Sequence, residues 1–191
     1  KEYLEKIYNN TQRMVELVEA FLNVSRLELG VFSIKEEPLN LRDRMEAILQ
    51  NLDPKIKEKN LKVSKIYAKS NFVVSADVKM IQIIFENLIS NAIKYTPTNG
   101  EIQIKMQKKG SEILIGVIDT GIGIPEDQQS KIFNKFFRAD NASSYKADGT
   151  VLGLYIVKTM IEKIGGKIWF RSPASKSHRR EQKGTAFYIS F

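Results

Sequence analysis

The stretch Asp77-Val78-Lys79-Met80-Ile81-Gln82-Ile83-Ile84-Phe85-Glu86-Asn87-Leu88-Ile89-Ser90-Asn91-Ala92-Ile93-Lys94-Tyr95 decides the fold. Ile81, Ile84, Phe85, Leu88 and Ala92 recur at the i, i+3, i+4, i+7 spacing, which predicts an amphipathic helix over 77–95 with Asp77 as its N-cap. At about 100° per residue, Asn87, Asn91 and Lys94 share an arc of roughly 60°. That arc lies beside the apolar stripe rather than opposite it, and Tyr95 falls between the two. Asn is a poor interior helix residue because its amide competes for backbone partners. Two of them one turn apart at the edge of a core admit two readings: half-buried, satisfied amides, or a polar wall facing a ligand. In the second reading the carboxamide oxygens suit a hard cation such as magnesium, and Lys94 suits a phosphate.

Downstream of this helix, Pro97, Asn99 and Gly100 end it and begin a hairpin. Ile102, Ile104 and Met106 alternate with Gln103, Lys105 and Gln107 as in a half-buried strand, and a turn follows at 109–111. The return strand, 113–118, is nearly all apolar and is expected to be buried on both faces. It runs into Asp119-Thr120-Gly121-Ile122-Gly123-Ile124-Pro125. A carboxylate at the end of a buried strand is placed to accept a hydrogen bond from an exocyclic amine, and the glycines permit close backbone approach. A short helix over 126–133 precedes a polar stretch, 133–149, with few helix or strand signals, which reads as a long mobile loop. Residues 150–164 read as a helix ended by Gly165 and Gly166. Gly149-Thr150 before it fits an ordinary helix start or a phosphate-facing backbone. Two last strands, 167–171 and 185–191, flank a basic loop holding His178, whose polar surroundings mark a surface residue.

Upstream, residues 1–29 read as one helix. Leu4, Ile7, Thr11, Met14, Val18, Phe21 and Ser25 step by three and four, the seam of a helical bundle. Such a helix needs a partner, either another helix or a second copy of the chain. Gly30 is a plausible C-cap, 31–34 reads as extended, and Pro38, Asn40 and Leu41 reset the chain. A helix over 41–59 follows, in which Pro54 fits an interruption, a kink or a turn equally well, and then short strands at 61–67 and 72–75.

The 191 residues, 42% hydrophobic and 27% charged, suit a globular domain with a substantial core and one appendage. Cysteine is absent and histidine occurs once, which excludes disulfides, thiol catalysis and multi-histidine metal sites. The net charge of +8 is spread among acidic residues with no aromatic-basic stripe, so no nucleic-acid partner is expected. No apolar run has the length of a membrane span. The chain starts at Lys1 already in helical periodicity, as a segment of a longer protein does, and any membrane anchor is expected upstream of it.

Five segments together carry a family resemblance. Glu86 to Tyr95 resembles the N box of sensor histidine kinases, Asp119 to Pro125 their G1 box, and Ile132-Phe133-Asn134-Lys135-Phe136-Phe137-Arg138 their F box. Gly149 to Leu154 resembles the G2 box and Gly184 to Phe187 the final Gly-Thr motif, in the family's order and spacing. The resemblance covers 31–191 as the catalytic ATP-binding domain. It extends to 1–30 as the second helix of the dimerisation and phosphotransfer hairpin.

It implies an α+β fold, a two-layer α/β sandwich with a mixed sheet covered by helices on one face, shared with type II topoisomerases, mismatch-repair ATPases and heat-shock chaperones. It also implies Mg-ATP as cofactor and transfer of the γ-phosphoryl to a histidine of the dimerisation domain. Carried over by position, Asn87 and Asn91 hold magnesium and phosphates, Lys94 pairs with a phosphate and Tyr95 packs against adenine. Asp119 accepts from the adenine amine, and Gly121 and Gly123 let the loop approach the base. Backbone at Gly149, Thr150, Leu152, Gly153 and Leu154 caps the phosphates, Thr185 completes the pocket, Glu86 polarises the attacking group and Arg138 meets the phosphates. A response-regulator receiver domain, a homodimer through the N-terminal helix and a cytoplasmic location follow from the same resemblance. Two departures stand out. The acceptor histidine's helix is absent, and Val151 occupies a G2-box position where the family has Gly. If that position requires a positive φ, a β-branched residue there is strained.

Overall fold

The computed structural model describes residues 2–30, 34–144, 151–174 and 184–191. Gly149, Thr150, His178 and the basic loop around it lie outside the described residues, as do 31–33 and 145–148.

The central helix forms as α3, Val78–Tyr95. Asp77 caps it, its Oδ1 accepting from Met80 N at 3.0 Å while Oδ2 accepts from Lys35 N at 2.9 Å. All five stripe residues are buried. Before α3 come α1 (Glu2–Glu28), β1 (Glu36–Asn40), α2 (Leu41–Glu58), β2 (Lys62–Tyr67) and β3 (Val73–Asp77). After it come β4 (Glu101–Lys109), β5 (Glu112–Asp119), a 3₁₀ turn at Glu126–Lys131, α4 (Asp140–Ser144), α5 (Gly153–Lys163), β6 (Lys167–Arg171) and β7 (Ala186–Ser190). The main sheet has the order β2-β4-β5-β7-β6, with β2 parallel to β4 and every other pair antiparallel. It is a mixed, open sheet packed against α2, α3 and α5, the α+β architecture expected.

Three sequence expectations need correction. Strand β5 is not buried on both faces. Ile113, Ile115 and Val117 are buried among the core, whereas Leu114 and Ile118 are half-exposed on the opposite face, because helices cover one side only. Gly116 on that outer face is covered by the Tyr188 ring, which in turn stacks on Trp169 at 5.7 Å. A strand also forms at Glu36–Asn40, where Pro38 suggested a break. Among the described residues it pairs only with β3, in a two-stranded sheet where a missing N–H is tolerated. Pro54, which by sequence fits an interruption, a kink or a turn equally well, lies inside α2, so the helix expected there forms. The segment after Phe133 is partly ordered by anchors the polar composition hid: Ala142 is buried, and Gln128 and Asp140 exchange two hydrogen bonds, at 2.6 and 2.9 Å.

Among its described side chains, helix α1 reaches the core only through its last turns. Val24 and Leu27 are buried, and α1 packs against α5. Leu4, Ile7, Met14, Val18 and Phe21 are each more than half exposed.

Candidate functional site

The alternation of β5 aims the site. Ile113, Ile115 and Val117 point into the helical layer, and the next residue in that period is Asp119, at the strand's last position. Its carboxylate is therefore buried, only 6% exposed, beneath the end of α3. Both bonds it receives fall on Oδ1, from Gly121 N at 2.8 Å and Thr185 N at 3.1 Å. Oδ2 has no partner among the described residues. Burial pushes the carboxyl up to about 6, against the opposing pull of those two N–H groups.

The glycine after Asp119 is required by packing. A Cβ on Gly121 would lie 2.6 Å from both Asp119 Oδ1 and the Tyr95 carbonyl oxygen. The loop thus runs against the last turn of α3, where Ile122 N donates to the Tyr95 carbonyl at 3.2 Å. Further along, Ile124 N donates to Ser172 Oγ at 2.8 Å, and Ser172 Oγ donates to the Gly184 carbonyl at 3.1 Å. These bonds tie the loop to the β6–β7 connection.

Together these elements enclose a cleft of about 830 Å³, counted out to its open mouth. Asn91, Lys94, Tyr95, Asp119, Gly123, Arg138, Gly153, Leu154 and Thr185 line it, so nine of the expected residues converge. Glu86, Asn87, Gly121 and Leu152 stand outside the lining. Glu86 accepts from Gln82 at 2.9 Å, and Leu152 is buried in the core at the start of α5. Apolar walls that spacing did not reveal come from Ile122, Ile124, Ile132, Phe137 and Phe187. The signal for the first two was present, as apolar residues interleaved with glycines. Phe136, in contrast, turns outward with φ 60° and 65% exposure. Asn141 also lines the cleft, with no sequence signal. It donates from Nδ2 to the Gly123 carbonyl at 3.0 Å, and its buried Oδ1 has no hydrogen-bond partner among the described residues.

The electrostatics divide the cleft. At its base sits the buried Asp119 carboxylate among apolar walls. Elsewhere stand two cations, Lys94, whose Nζ lies 4.8 Å from the Tyr95 ring centroid, and Arg138, which donates to the Ala142 carbonyl at 2.8 Å. Burial raises the Tyr95 phenol's pKa, and the Arg138 charge partly opposes this. Among the described residues no group of three or more His, Cys, Asp or Glu side chains gathers to hold a metal. Carboxamide oxygens are the donors at hand: Asn91 lines the cleft, and Asn87 Nδ2 donates to the Ile83 carbonyl at 2.8 Å, a bond that does not use its Oδ1. Such a donor set fits magnesium, which takes few protein ligands and completes its shell with phosphate and water.

Val151 also lines the cleft. The described non-glycine residues with positive φ are Asn60, Asn99 and Phe136, and Val151 is not among them. The strain anticipated at this position is therefore absent in this conformation.

Residues 76–191 match the family described as "Histidine kinase-, DNA gyrase B-, and HSP90-like ATPase". The chain is 31% identical over 174 residues to the circadian input-output histidine kinase CikA of Synechococcus elongatus, covering 90% of this chain and 23% of that protein. It is 32% identical over 176 residues to sensor histidine kinase WalK of Bacillus subtilis, covering 91% of this chain and 29% of that protein. It therefore spans less than a third of the length of either curated relative. Among solved structures, the catalytic domain of histidine kinase ThkA superposes with a TM-score of 0.69 at 30% identity, covering 82% of this chain and 95% of that one. ThkA in complex with response regulator protein TrrA gives 0.76 at 27% identity, covering 100% of this chain and 50% of that one. The chain belongs to the histidine kinase-, DNA gyrase B-, and HSP90-like ATPase family, as a sensor histidine kinase catalytic domain.

Proposed function

We propose that this chain binds Mg-ATP in the cleft and transfers its γ-phosphoryl to a histidine on a dimerisation helix, from which it passes to an aspartate of a response-regulator receiver domain. The observation that carries this reading is Asp119: a buried carboxylate at the base of an apolar cleft, with one oxygen held by backbone N–H groups and the other without a partner among the described residues. Oδ2 accepts from the exocyclic amine of adenine, while Tyr95 and the isoleucine walls pack against the base. Guanine presents a carbonyl at that position, so the same oxygen rejects it. Lys94 and Arg138 neutralise phosphate charge. The backbone at Leu152, Gly153 and Leu154, at the start of α5, donates to phosphate oxygens, and the same role is proposed for Gly149 and Thr150 from the motif alone. Asn87 and Asn91 supply carboxamide oxygens to magnesium, which when bound neutralises the charge that builds between the β- and γ-phosphates. Glu86 polarises the attacking imidazole. Phosphoryl transfer runs largely on such positioning and charge neutralisation.

The exposed stripe of α1 supports a homodimer built on that helix, and the complex of ThkA with TrrA supports a receiver-domain partner. No described helix is long and apolar enough to cross a membrane. A cytoplasmic location belongs to the same proposal.

The test is incubation with γ-labelled ATP and a separately supplied dimerisation domain carrying its acceptor histidine. Acid-labile label on the supplied domain is expected, with none on this chain alone and none with Asp119→Ala. Free phosphate without transfer would instead indicate an ATP-hydrolysing clamp, and neither product a binding module without turnover.

A further inference from the structure

The C-terminal turn of α3 presents carbonyls that the helix cannot satisfy itself, and the structure provides a partner for each. The Ala92 carbonyl accepts from Thr96 N at 3.1 Å and from Thr96 Oγ1 at 2.6 Å. The Tyr95 carbonyl takes Ile122 N of the loop after Asp119. The other three, on Ile93, Lys94 and Thr96, converge on one atom, Lys59 Nζ, at 2.8, 2.7 and 2.9 Å. Three donors on one ammonium thus meet three acceptors at the negative end of the helix dipole. Burial lowers the pKa of this ammonium, with Glu58 opposing the effect, and the three carbonyls offset the cost of removing it from water.

Lys59 is itself held in place. It is the C-cap residue of α2, where Asn60 takes a left-handed φ of 49° and Leu61 N closes the turn on the Ile56 carbonyl at 3.0 Å. The Lys59 carbonyl accepts from Asn99 N at 2.9 Å, and the Asn60 and Asn99 side chains bond at 2.6 Å. The end of α2 is thereby fixed to the exit of α3.

We infer that Lys59 is a positioning residue for the nucleotide cleft: its ammonium, outside the cleft, clamps the last turn of α3 so that Lys94 and Tyr95 are in place before ligand arrives. The inference rests on the proposal that the cleft binds ATP. Lys94 and Tyr95 are the last two residues of the helix and both line the cleft. Without the clamp three carbonyls lose their partner and that turn frays. Binding must then order two residues, which weakens affinity by roughly tenfold or more.

The chain has no cysteine, so a single introduced thiol can be modified selectively. Lys59→Met keeps the stem and removes the donors. Lys59→Cys, alkylated with bromoethylamine in urea and refolded, restores an ammonium at nearly the original reach. Mg-ATP dissociation constants are measured by calorimetry well below each variant's melting temperature. Lys59→Met and unmodified Lys59→Cys are expected to bind about tenfold more weakly while fully folded, with aminoethylation returning affinity to within about twofold of the parent. A folded Lys59→Met with parental affinity would overturn the inference and leave Lys59 a stability residue only. So would a loss that the restored amine does not repair. Should both variants be unfolded, Lys59→Arg decides, because a planar fork cannot place three donors at one point. A weakening of about threefold or more is expected there, and parental affinity overturns the inference. Absence of ATP binding by the unsubstituted chain would mark failure of the functional reading itself, a different outcome from any of these.

Discussion

Asp119 sets two opposite pH dependences. Its carboxyl titrates near 6 in the fold against an ordinary value of 3.8, so between these pH values the folded state holds a proton that the unfolded state has released. Folding stability from this group is thus greatest on the acid side and declines as pH rises through that window, the full cost being present above about 6. Adenine binding runs the other way, because the amino donor needs the ionised oxygen. Adenosine, which lacks phosphate titrations, is expected to bind about tenfold more weakly at pH 5 than at pH 7, as calorimetric titration can measure. A flat profile for the parent would mean that the base does not meet Asp119. In Asp119→Asn the carbonyl oxygen keeps the Gly121 and Thr185 N–H groups and the NH₂ faces the cleft. That variant should lose the pH dependence and shift its preference from adenine towards guanine. Val151 is the contrasting residue. With no left-handed backbone to relieve, Val151→Gly is expected to leave the Mg-ATP dissociation constant within about twofold of the parent. A tenfold tightening would show that the bound state requires a conformation this structure does not have.

The segment around α4 is held by a few contacts. Asn141 holds it to the Gly123 carbonyl, and the Gln128–Asp140 pair holds it to the 3₁₀ turn. Ala142 is its buried apolar anchor. Few anchors mean a low local opening free energy. Asn141→Ala should therefore raise amide exchange across 139–144 while changing global stability by less than about 1 kcal/mol, since it removes one hydrogen bond and an unsatisfied oxygen together. Hydrogen exchange with and without an ATP analogue checks this. Protection of 139–144 unchanged by both mutation and nucleotide would exclude these residues as a closing element. Helix α3 is the opposite case, with a capped start, a buried stripe and every C-terminal carbonyl partnered.

At the scale of the whole molecule, α1 is the unsatisfied part. Its seam from Leu4 to Phe21 faces solvent, and among its described side chains only Val24 and Leu27 join the core. Exposed apolar stripes of this length on a helix are paired in stable assemblies. Sedimentation should accordingly show concentration-dependent self-association of the full chain. A variant lacking residues 1–20 should be monomeric, with a melting temperature within about 3 °C of the parent measured as monomer, because the deleted turns bury no described core residue. A monomeric full chain at high concentration would argue against association through α1. A large melting-temperature loss on truncation would mean that the deleted turns support the domain.

Short-range periodicity was enough to determine the central helix, its Asp77 cap, the β4–β5 hairpin and the bundle seam of α1, because each is written in the spacing of apolar residues along one element. The order and spacing of the five motifs then pointed to the family and to nine of the cleft-lining residues. What the sequence left open depended on which face a second layer covers and which groups meet across it. The half-exposure of Leu114 and Ile118 follows from helices on one side of the sheet. The strand at Pro38 exists because β3 lies beside it. The outward turn of Phe136, the ordinary backbone of Val151 and the gathering of three carbonyls on Lys59 are set by contacts between segments distant in the chain. Periodicity records a residue's angle about its own element, and only packing records what stands opposite.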